Sequence, residues 1–322
     1  MPMIRVGVVG TGGMGSVHAR HYAKMADVEL IAFDADAVKL DSFMERFQVR
    51  DAKSFEEVLE LVDAVDLCLP TDLHAEYGLR CLRAGKPVLI EKPLARTLQQ
   101  GRELLEAAAN AWLMPGQVVR YFREYAAAHK AVKSGVVGNP AAVRMRRGGL
   151  APQGGVGWFM DHNRSGGVLL DLAVHEFDWL HWTFGPVESV FAQSVAKNGH
   201  GPDYALAVLK FESGVVGHVE ATWMDPSGFR AHFEVCGSGG MIEHDSRNVP
   251  TLRAHAGGKT VLESNLAPED DPFYNQLRHF ADCVEGKVTP NVSAEDGFNA
   301  MAIGLAALES AQTGWAVRPE RA

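Results

Sequence analysis

Two groups of residues near the start of the chain suit the binding of a dinucleotide. Gly10-Thr11-Gly12-Gly13-Met14-Gly15 directly follows the apolar run Ile4–Val9 and opens a helical pattern. In that setting Gly10 permits the tight turn, Gly12 lets a pyrophosphate approach the main chain, and Gly15 lets helix pack on strand. The N–H groups at the helix start, from Gly13 and Met14 onward, then face the anion. Asp34 ends the second apolar run, Val28–Phe33. A carboxylate there accepts hydrogen bonds from the adenosine ribose hydroxyls and repels a 2′-phosphate. Ala35, Asp36, Ala37 and Val38 include no arginine to hold such a phosphate, so NAD is expected in preference to NADP. The plainer alternatives are a glycine turn without a ligand and an aspartate that merely caps the next turn.

Two further groups could act on a substrate. Val88-Leu89-Ile90-Glu91-Lys92-Pro93 is a strand that finishes on a lysine, at the strand end where ligands of open α/β sheets bind. Proline restricts Lys92 to an extended or turn conformation, although a lysine at a strand end is ordinarily a solvated one. Downstream, Asp171 and His175 stand four residues apart in the helical pattern Val168 to Phe184, with Asp178 three residues further on. An ideal helix puts such residues on one face. A carboxylate and an imidazole on an otherwise apolar helix are costly to bury unless satisfied or used. A structural pair and a catalytic pair both fit this pattern. A metal does not complete its ligand set here, since only His162, Asn163 and His181 are spare polar neighbours, so none is expected.

The elements that must position these groups fall into two regimes. The first third alternates short apolar runs (Ile4–Val9, Val28–Phe33, Ala64–Leu69, Val88–Ile90) with helical patterns. This is the grammar of an α/β, doubly wound parallel sheet whose strands are buried on both faces. Ser54 with Glu57 and Thr97 with Gln100 have capping-box spacing. Thr71 or Asp72 is placed to cap a helix from His74 to Ala84. Beyond a helix at Tyr125 to Lys133, strands dominate: Ala141–Arg147, Val187–Val195, Tyr204–Phe211, Val215–Trp223 and Phe229–Cys236. Several alternate polar and apolar residues, as a sheet with one wet face does. Gly148–Gly166 reads as irregular, and helices at Pro272–Glu285 and Ala294–Thr313 close the chain. The expected organisation is a nucleotide-binding domain over residues 1–120 and an α+β domain with a large open sheet over residues 121–322.

Composition excludes several classes. The net charge is -9, so the electrostatic attraction that drives nucleic-acid binding is missing. The basic cluster Arg144, Arg146 and Arg147 alternates with Val143 and Met145, as an ordinary strand with a solvated face does. Cys68, Cys81, Cys236 and Cys283 are scattered and suit a reducing compartment better than a disulfide framework. Neither a signal-peptide pattern nor a membrane-length apolar stretch is legible, and a soluble cytoplasmic protein without membrane partners is expected.

Together these motifs resemble the glucose–fructose oxidoreductase/inositol dehydrogenase (Gfo/Idh/MocA) family over nearly the whole chain. The anchors are Gly10–Gly15, Pro70-Thr71-Asp72-Leu73-His74, Glu91-Lys92-Pro93 and Asp171 to His175. The resemblance implies an N-terminal Rossmann domain and a C-terminal α+β domain with an open, mainly antiparallel or mixed sheet, the active site lying between them. It implies that Pro70, Thr71, His74 and Glu91 lie along the cofactor, that the Lys92–Pro93 bond is cis, and that the chain forms a homo-oligomer, dimer or tetramer. It also maps the catalytic set to Lys92, Asp171 and His175, on a sugar, cyclitol or other polyol substrate.

On that reading His175, whose ordinary pKa is near neutrality, is the leading proton acceptor, with Asp171 orienting it or stabilising its charged form. Lys92 would hydrogen-bond the reacting oxygen, although in some relatives the lysine is thought to take the proton. Arg120, Trp158, His162 and Asn163 are the substrate-contact candidates, with the Trp158 ring suited to the apolar face of a sugar. Rival readings keep the fold but act on an imine, a dihydrodiol or a tetrapyrrole, or sense NAD without catalysis.

Overall fold

The computed structural model describes residues 3–109, 111–152, 157–196, 203–226, 228–248, 251–264 and 271–322. Part of the irregular stretch Gly148–Gly166, namely residues 153–156, therefore lies outside the described residues. Strands β1 (Ile4–Val9), β2 (Val28–Phe33), β3 (Arg50–Asp51), β4 (Ala64–Leu67), β5 (Val88–Glu91) and β6 (Leu113–Gly116) form one sheet. Its order is β3-β2-β1-β4-β5-β6, with every neighbour parallel. β4, β5 and β6 are buried throughout, which is why they read as continuous apolar runs. The crossovers are α1 (Gly13–Tyr22), α2 (Ala37–Phe47), α3 (Phe55–Leu61), α4 (His74–Arg83) and α5 (Leu98–Ala107). The strand order reverses between β1 and β4, which opens a crevice beyond their carboxyl ends.

The helix-start signals are honoured unevenly. Thr97 and Gln100 form a complete capping box. Ser54 accepts the Glu57 N–H, but the Glu57 carboxylate accepts from the Lys53 N–H, so that box is half made. The expected cap of α4 is absent. Thr71–Leu73 forms a 3₁₀ turn running straight into α4 with no side-chain cap, and the Asp72 carboxylate accepts from Arg164 at 2.8 Å instead.

After α6 (Arg123–Lys133) comes a second sheet of eight strands. They are β7 (Pro140–Gly148), β8 (Val187–Val195), β9 (Tyr204–Phe211), β10 (Val216–Thr222), β11 (Arg230–Gly237), β12 (Gly240–Asp245), β13 (Leu252–Ala256) and β14 (Lys259–Ser264). The order is β14-β13-β12-β11-β7-β10-β9-β8, mixed through the parallel β7–β10 pair and otherwise antiparallel. Strands β12 to β14 were not legible in the sequence, being short and interspersed with charged residues such as Glu243, Arg253 and Glu263.

A short helix, α7 (His162–Ser165), precedes the segment expected to be one helix from Val168 to Phe184. That helix is broken in two. Val168–Leu172 is a π-helical turn, with the Ala173 N–H bonded to the Val168 carbonyl at 2.9 Å, and α8 (Val174–Phe184) follows. Gly166 and Gly167 enter the turn with φ of 79° and 66°, a backbone that glycine adopts without strain. The closing helices α9 (Pro272–Val284) and α10 (Ala294–Thr313) do different work. Leu277, Phe280 and Ala281 of α9 join the core of the first sheet with Val6, Tyr22 and Leu89. α10 packs on α5 so closely that a Cβ on Gly101 would lie 2.5 Å from the Met301 side chain. Among the described residues no helix is long and apolar enough to cross a membrane.

Candidate active site

The glycine turn is built for close approach. Gly10 has a φ of 94°, and a Cβ on Gly15 would lie 2.0 Å from the Gly10 carbonyl oxygen. Nothing lies within 4 Å of a Cβ placed on Gly12 or Gly13, and both are exposed. α1 begins with no side-chain cap, so its first N–H groups are available to an anion. Asp34 stands at the end of β2, as expected. Its carboxylate accepts from the Thr11 N–H at 2.8 Å, the Thr11 hydroxyl at 2.9 Å and the Asp36 N–H at 2.9 Å, which fixes the carboxylate beside the turn. Along the same strand ends, Thr71 is buried with its hydroxyl oxygen unpartnered, and Gln117, just after β6, is buried with both amide atoms unpartnered among the described residues. Unsatisfied polar atoms in such a place are what a bound polar ligand would satisfy. The residues present thus fit a dinucleotide.

His74 joins two of the strand-end loops. Its Nδ1 lies 2.7 Å from the Pro93 carbonyl oxygen and its Nε2 lies 2.8 Å from that of Leu69, just before Pro70. The Lys92–Pro93 bond is cis. Lys92 leaves β5 for the crevice, and its Nζ donates to the Asp171 carbonyl at 2.8 Å and to Asp171 Oδ1 at 3.0 Å. The pair is nearly enclosed, with side-chain exposures of 18% and 5%.

Here the structure corrects the sequence reading. Asp171 serves Lys92, with no hydrogen bond to His175 among the described residues. The i, i+4 argument assumed α-helical geometry, and the π turn at Val168–Leu172 carries one extra residue per hydrogen-bonded loop, so Asp171 is turned away from the face it would otherwise share. His175 sits at the start of α8, partly buried, its Nδ1 without a partner. Burial first, then the charges of Lys92 and Arg147, hold its pKa well below 6.5. It is a neutral imidazole at neutral pH, with the Lys92 ammonium close enough to act on it.

The substrate-contact candidates divide. Arg120 is buried and fully engaged: Nε and Nη2 form a fork on Asp178 at 2.8 and 2.7 Å, and Nη1 reaches Asp296 at 3.1 Å. The structure thus gives Arg120 carboxylate partners in place of a free guanidinium, and Asp178 belongs to this buried pair and not to a polar stripe shared with His175. Trp158 stacks on Phe159 with ring centroids 3.9 Å apart. The His162 and Asn163 carbonyl oxygens accept from Arg96 at 3.1 and 3.0 Å. With Arg164 on Asp72, these bonds fasten the loop carrying Trp158, His162 and Asn163 to the strand ends of the first sheet. The His162 Nδ1 is buried and has no hydrogen-bond partner among the described residues.

Several residues at the site escaped the sequence reading. Arg147 is buried and not on a solvated face: Nε donates to Glu176 at 2.7 Å and Nη2 to the Tyr125 hydroxyl at 3.2 Å. Alternation along β7 fails at its end, since Arg147 and Gly148 are consecutive buried residues. His18 and Asp66, both buried, and the partly buried Cys68 form a polar cluster beneath the glycine turn, their side-chain N, O and S atoms within 4.8 Å of one another. The signal was faint, a histidine inside α1 and an aspartate inside the apolar run of β4.

Residues 4–115 match the model of an oxidoreductase family described as an NAD-binding Rossmann fold, and residues 129–318 match that of the same family's C-terminal alpha/beta domain. The chain is 32% identical to a myo-inositol 2-dehydrogenase from Thermotoga maritima, with 98% of this chain and 99% of that one covered. It is 33% identical to a 1,5-anhydro-D-fructose reductase from Ensifer adhaerens, covering 83% and 84%. A crystal structure of a probable dehydrogenase from Thermotoga maritima superposes with a TM-score of 0.84 at 30% identity, covering 98% of each chain.

Proposed function

Because this chain belongs to the Gfo/Idh/MocA oxidoreductase family, we propose that it is an NAD-dependent dehydrogenase moving a hydride between nicotinamide and a secondary alcohol carbon of a sugar, cyclitol or related polyol. The observation that carries this reading is the enclosed Lys92–Asp171 pair facing a neutral His175 beyond the glycine turn.

Bound NAD would supply the hydride acceptor, seated on Gly10–Gly15, Asp34 and the Pro70–His74 and Glu91–Pro93 loops. The protein's own groups must then manage the hydroxyl proton. In the oxidation direction the neutral His175 ring takes that proton, because it has a free nitrogen and no charge to lose first. The Lys92 ammonium, held by Asp171, donates a hydrogen bond to the reacting oxygen and stabilises the alkoxide as it develops. Asp171 is thus a positioning residue for Lys92. His162 and the loop around it are assigned to the substrate side.

The test is a polyol panel with NAD, followed at the NADH absorbance and beginning with myo-inositol, the substrate in the name of the Thermotoga maritima relative. Turnover on a cyclitol or sugar supports the reading. Turnover only with carbonyl or imine compounds and NADH would move the enzyme to a non-polyol substrate.

A homo-oligomer is part of the proposal. The face of the second sheet away from α8 and α10 exposes Phe191 and Leu206, each 40% accessible, beside polar neighbours. Sedimentation velocity showing only monomer would remove this part. The four cysteines are free, which fits a reducing, cytoplasmic setting.

A further inference from the structure

Beneath the glycine turn, three ionisable side chains from three different elements meet in the buried interior. His18 lies on α1, Asp66 on β4 and Glu91 at the end of β5; the first two are fully buried and Glu91 is 6% exposed. His18 Nδ1 is 2.8 Å from Asp66 Oδ2, and its Nε2 is 3.3 Å from Glu91 Oε1, an ion pair. The other Glu91 oxygen, Oε2, accepts from the Lys92 main-chain N–H at 3.2 Å. Cys68 adds its thiol at 3.3 Å from His18 Nδ1 and 3.5 Å from Asp66 Oδ1.

An imidazole between two carboxylates is drawn toward its doubly protonated form; the Asp66 side is a hydrogen bond, and the Glu91 side is a charge contact without hydrogen-bond geometry. Burial disfavours that charge, but Asp66 and Cys68 outweigh it and His18 is raised well above 6.5, while Glu91 is held below its ordinary range despite its own burial. Three buried charges of this kind stabilise a fold no better than apolar residues of similar volume. Their placement is therefore better explained by what they touch, and the line of contacts ends on the main chain of Lys92.

We propose that His18 is a positioning residue, bridging Asp66 and Glu91 so that the Glu91 carboxylate holds the Lys92 main chain and sets where its ammonium stands toward Asp171. The arrangement ties the helix that seats the coenzyme to the lysine that meets the substrate. It rests on the dehydrogenase reading only for its kinetic consequence; the geometry of Lys92 is open to measurement without any substrate.

The experiment compares wild type, His18→Gln, Glu91→Gln and the double variant. Glutamine at position 18 is uncharged and carries both its N–H groups on one nitrogen, so it does not span the two carboxylates from opposite sides as the ring does. In His18→Gln, kcat falls by about 10²-fold, the size of effect a misplacement of about 1 Å produces, while the Kd for NADH stays within a few-fold. The double variant is no worse than either single one, as coupled residues require. Without substrate, nitrogen-15 spectra of wild type show a His18 ring protonated at both nitrogens at pH 7.5. The carbon-13ε chemical shift assigned to Lys92 at fixed pH, which reports the surroundings of its ammonium, is displaced in Glu91→Gln, which serves as the readout should His18→Gln fail to fold. A neutral His18, or a Lys92 carbon-13ε chemical shift unchanged in the variants, overturns the proposal, as does a His18→Gln enzyme of lowered stability and intact kcat. If wild type turns over no polyol, the dehydrogenase reading fails while the two spectroscopic readouts still decide this one.

Discussion

Lys92 Nζ and the Asp171 side chain, 79 residues apart in sequence, meet at 3.0 Å, with the Asp171 carbonyl a second acceptor at 2.8 Å. The ammonium is held by two oxygens of one residue, which leaves its remaining N–H for a ligand. Lys92→Met should lower kcat by about 10²–10⁴, the range expected for a group acting directly in proton transfer or at a developing charge. Asp171→Asn keeps the carbonyl contact and one side-chain oxygen, so its loss should be smaller than that of Lys92→Met. Steady-state kinetics on the polyol found by screening, with NADH binding measured alongside, checks both; equal turnover in wild type and Lys92→Met removes the lysine from the chemistry.

The pH dependence follows from His175. Its folded pKa lies well below 6.5 because burial and the charges of Lys92 and Arg147 disfavour the imidazolium. The base stays unprotonated well into mild acid, so the acid limb of kcat/KM against pH should begin below 6.5. Arg147→Met removes one of the cations and should move that limb upward. A limb at 6.5 or above in wild type contradicts the assignment of His175 as the base.

Coenzyme choice turns on Asp34, whose carboxylate is pinned beside the glycine turn by Thr11 and Asp36. A 2′-phosphate brought to that carboxylate meets a like charge, and the adjoining residues Ala35 to Val38 include no arginine to offset it. Asp34→Ser should weaken kcat/KM for NAD by about tenfold, the loss of roughly one good hydrogen bond to a charged group, and should raise the ratio for NADP. An unchanged NAD-to-NADP ratio would mean that Asp34 does not read the ribose.

Arg120 carries a stability prediction. Its fork on Asp178 is almost fully enclosed, with side-chain exposures of 3% and 1%. Removing one partner of a buried pair leaves the other charge uncompensated, at a cost of about 3–5 kcal/mol. Asp178→Ala should therefore destabilise by an amount of that order in urea unfolding, provided the transition is two-state. A loss below about 1 kcal/mol would place the pair among the weak, surface-like bridges.

A stability difference in acid should trace to His129, which stacks on Trp182 with ring centroids 3.5 Å apart. Burial, then Lys133 and Arg120, lower its pKa to about 4. Above 6.5 the ring is neutral both folded and unfolded, so it contributes no pH dependence there. As pH falls from 6.5 toward about 4, the unfolded ring takes up a proton that the folded ring refuses, and stability declines. His129→Gln should show a shallower decline over that window than wild type, measured as the difference between their unfolding midpoints at each pH. His18 runs in the opposite sense: its raised pKa adds stability that is complete below 6.5 and fades at higher pH.

The sequence by itself determined the parts of this protein that depend on local grammar. The turn Gly10–Gly15, the carboxylate of Asp34, the buried parallel strands and the span of β8 and β9 are each specified by neighbouring residues, because glycine conformation, strand burial and alternation act over a few positions. What the tertiary structure decided is which charges meet. The π turn entered through Gly166 and Gly167 sends Asp171 to Lys92 and leaves His175 bare, and no residue count reveals that change of helical pitch. Arg120 looked free until Asp178 and Asp296 closed on it from two other helices, and Arg147 looked solvated until α8 covered it. The His18–Asp66–Glu91 contact joins α1, β4 and β5 across sequence separations of 48 residues and more. Electrostatic partners are chosen by packing in three dimensions, and periodicity along one element carries no information about the element that will face it.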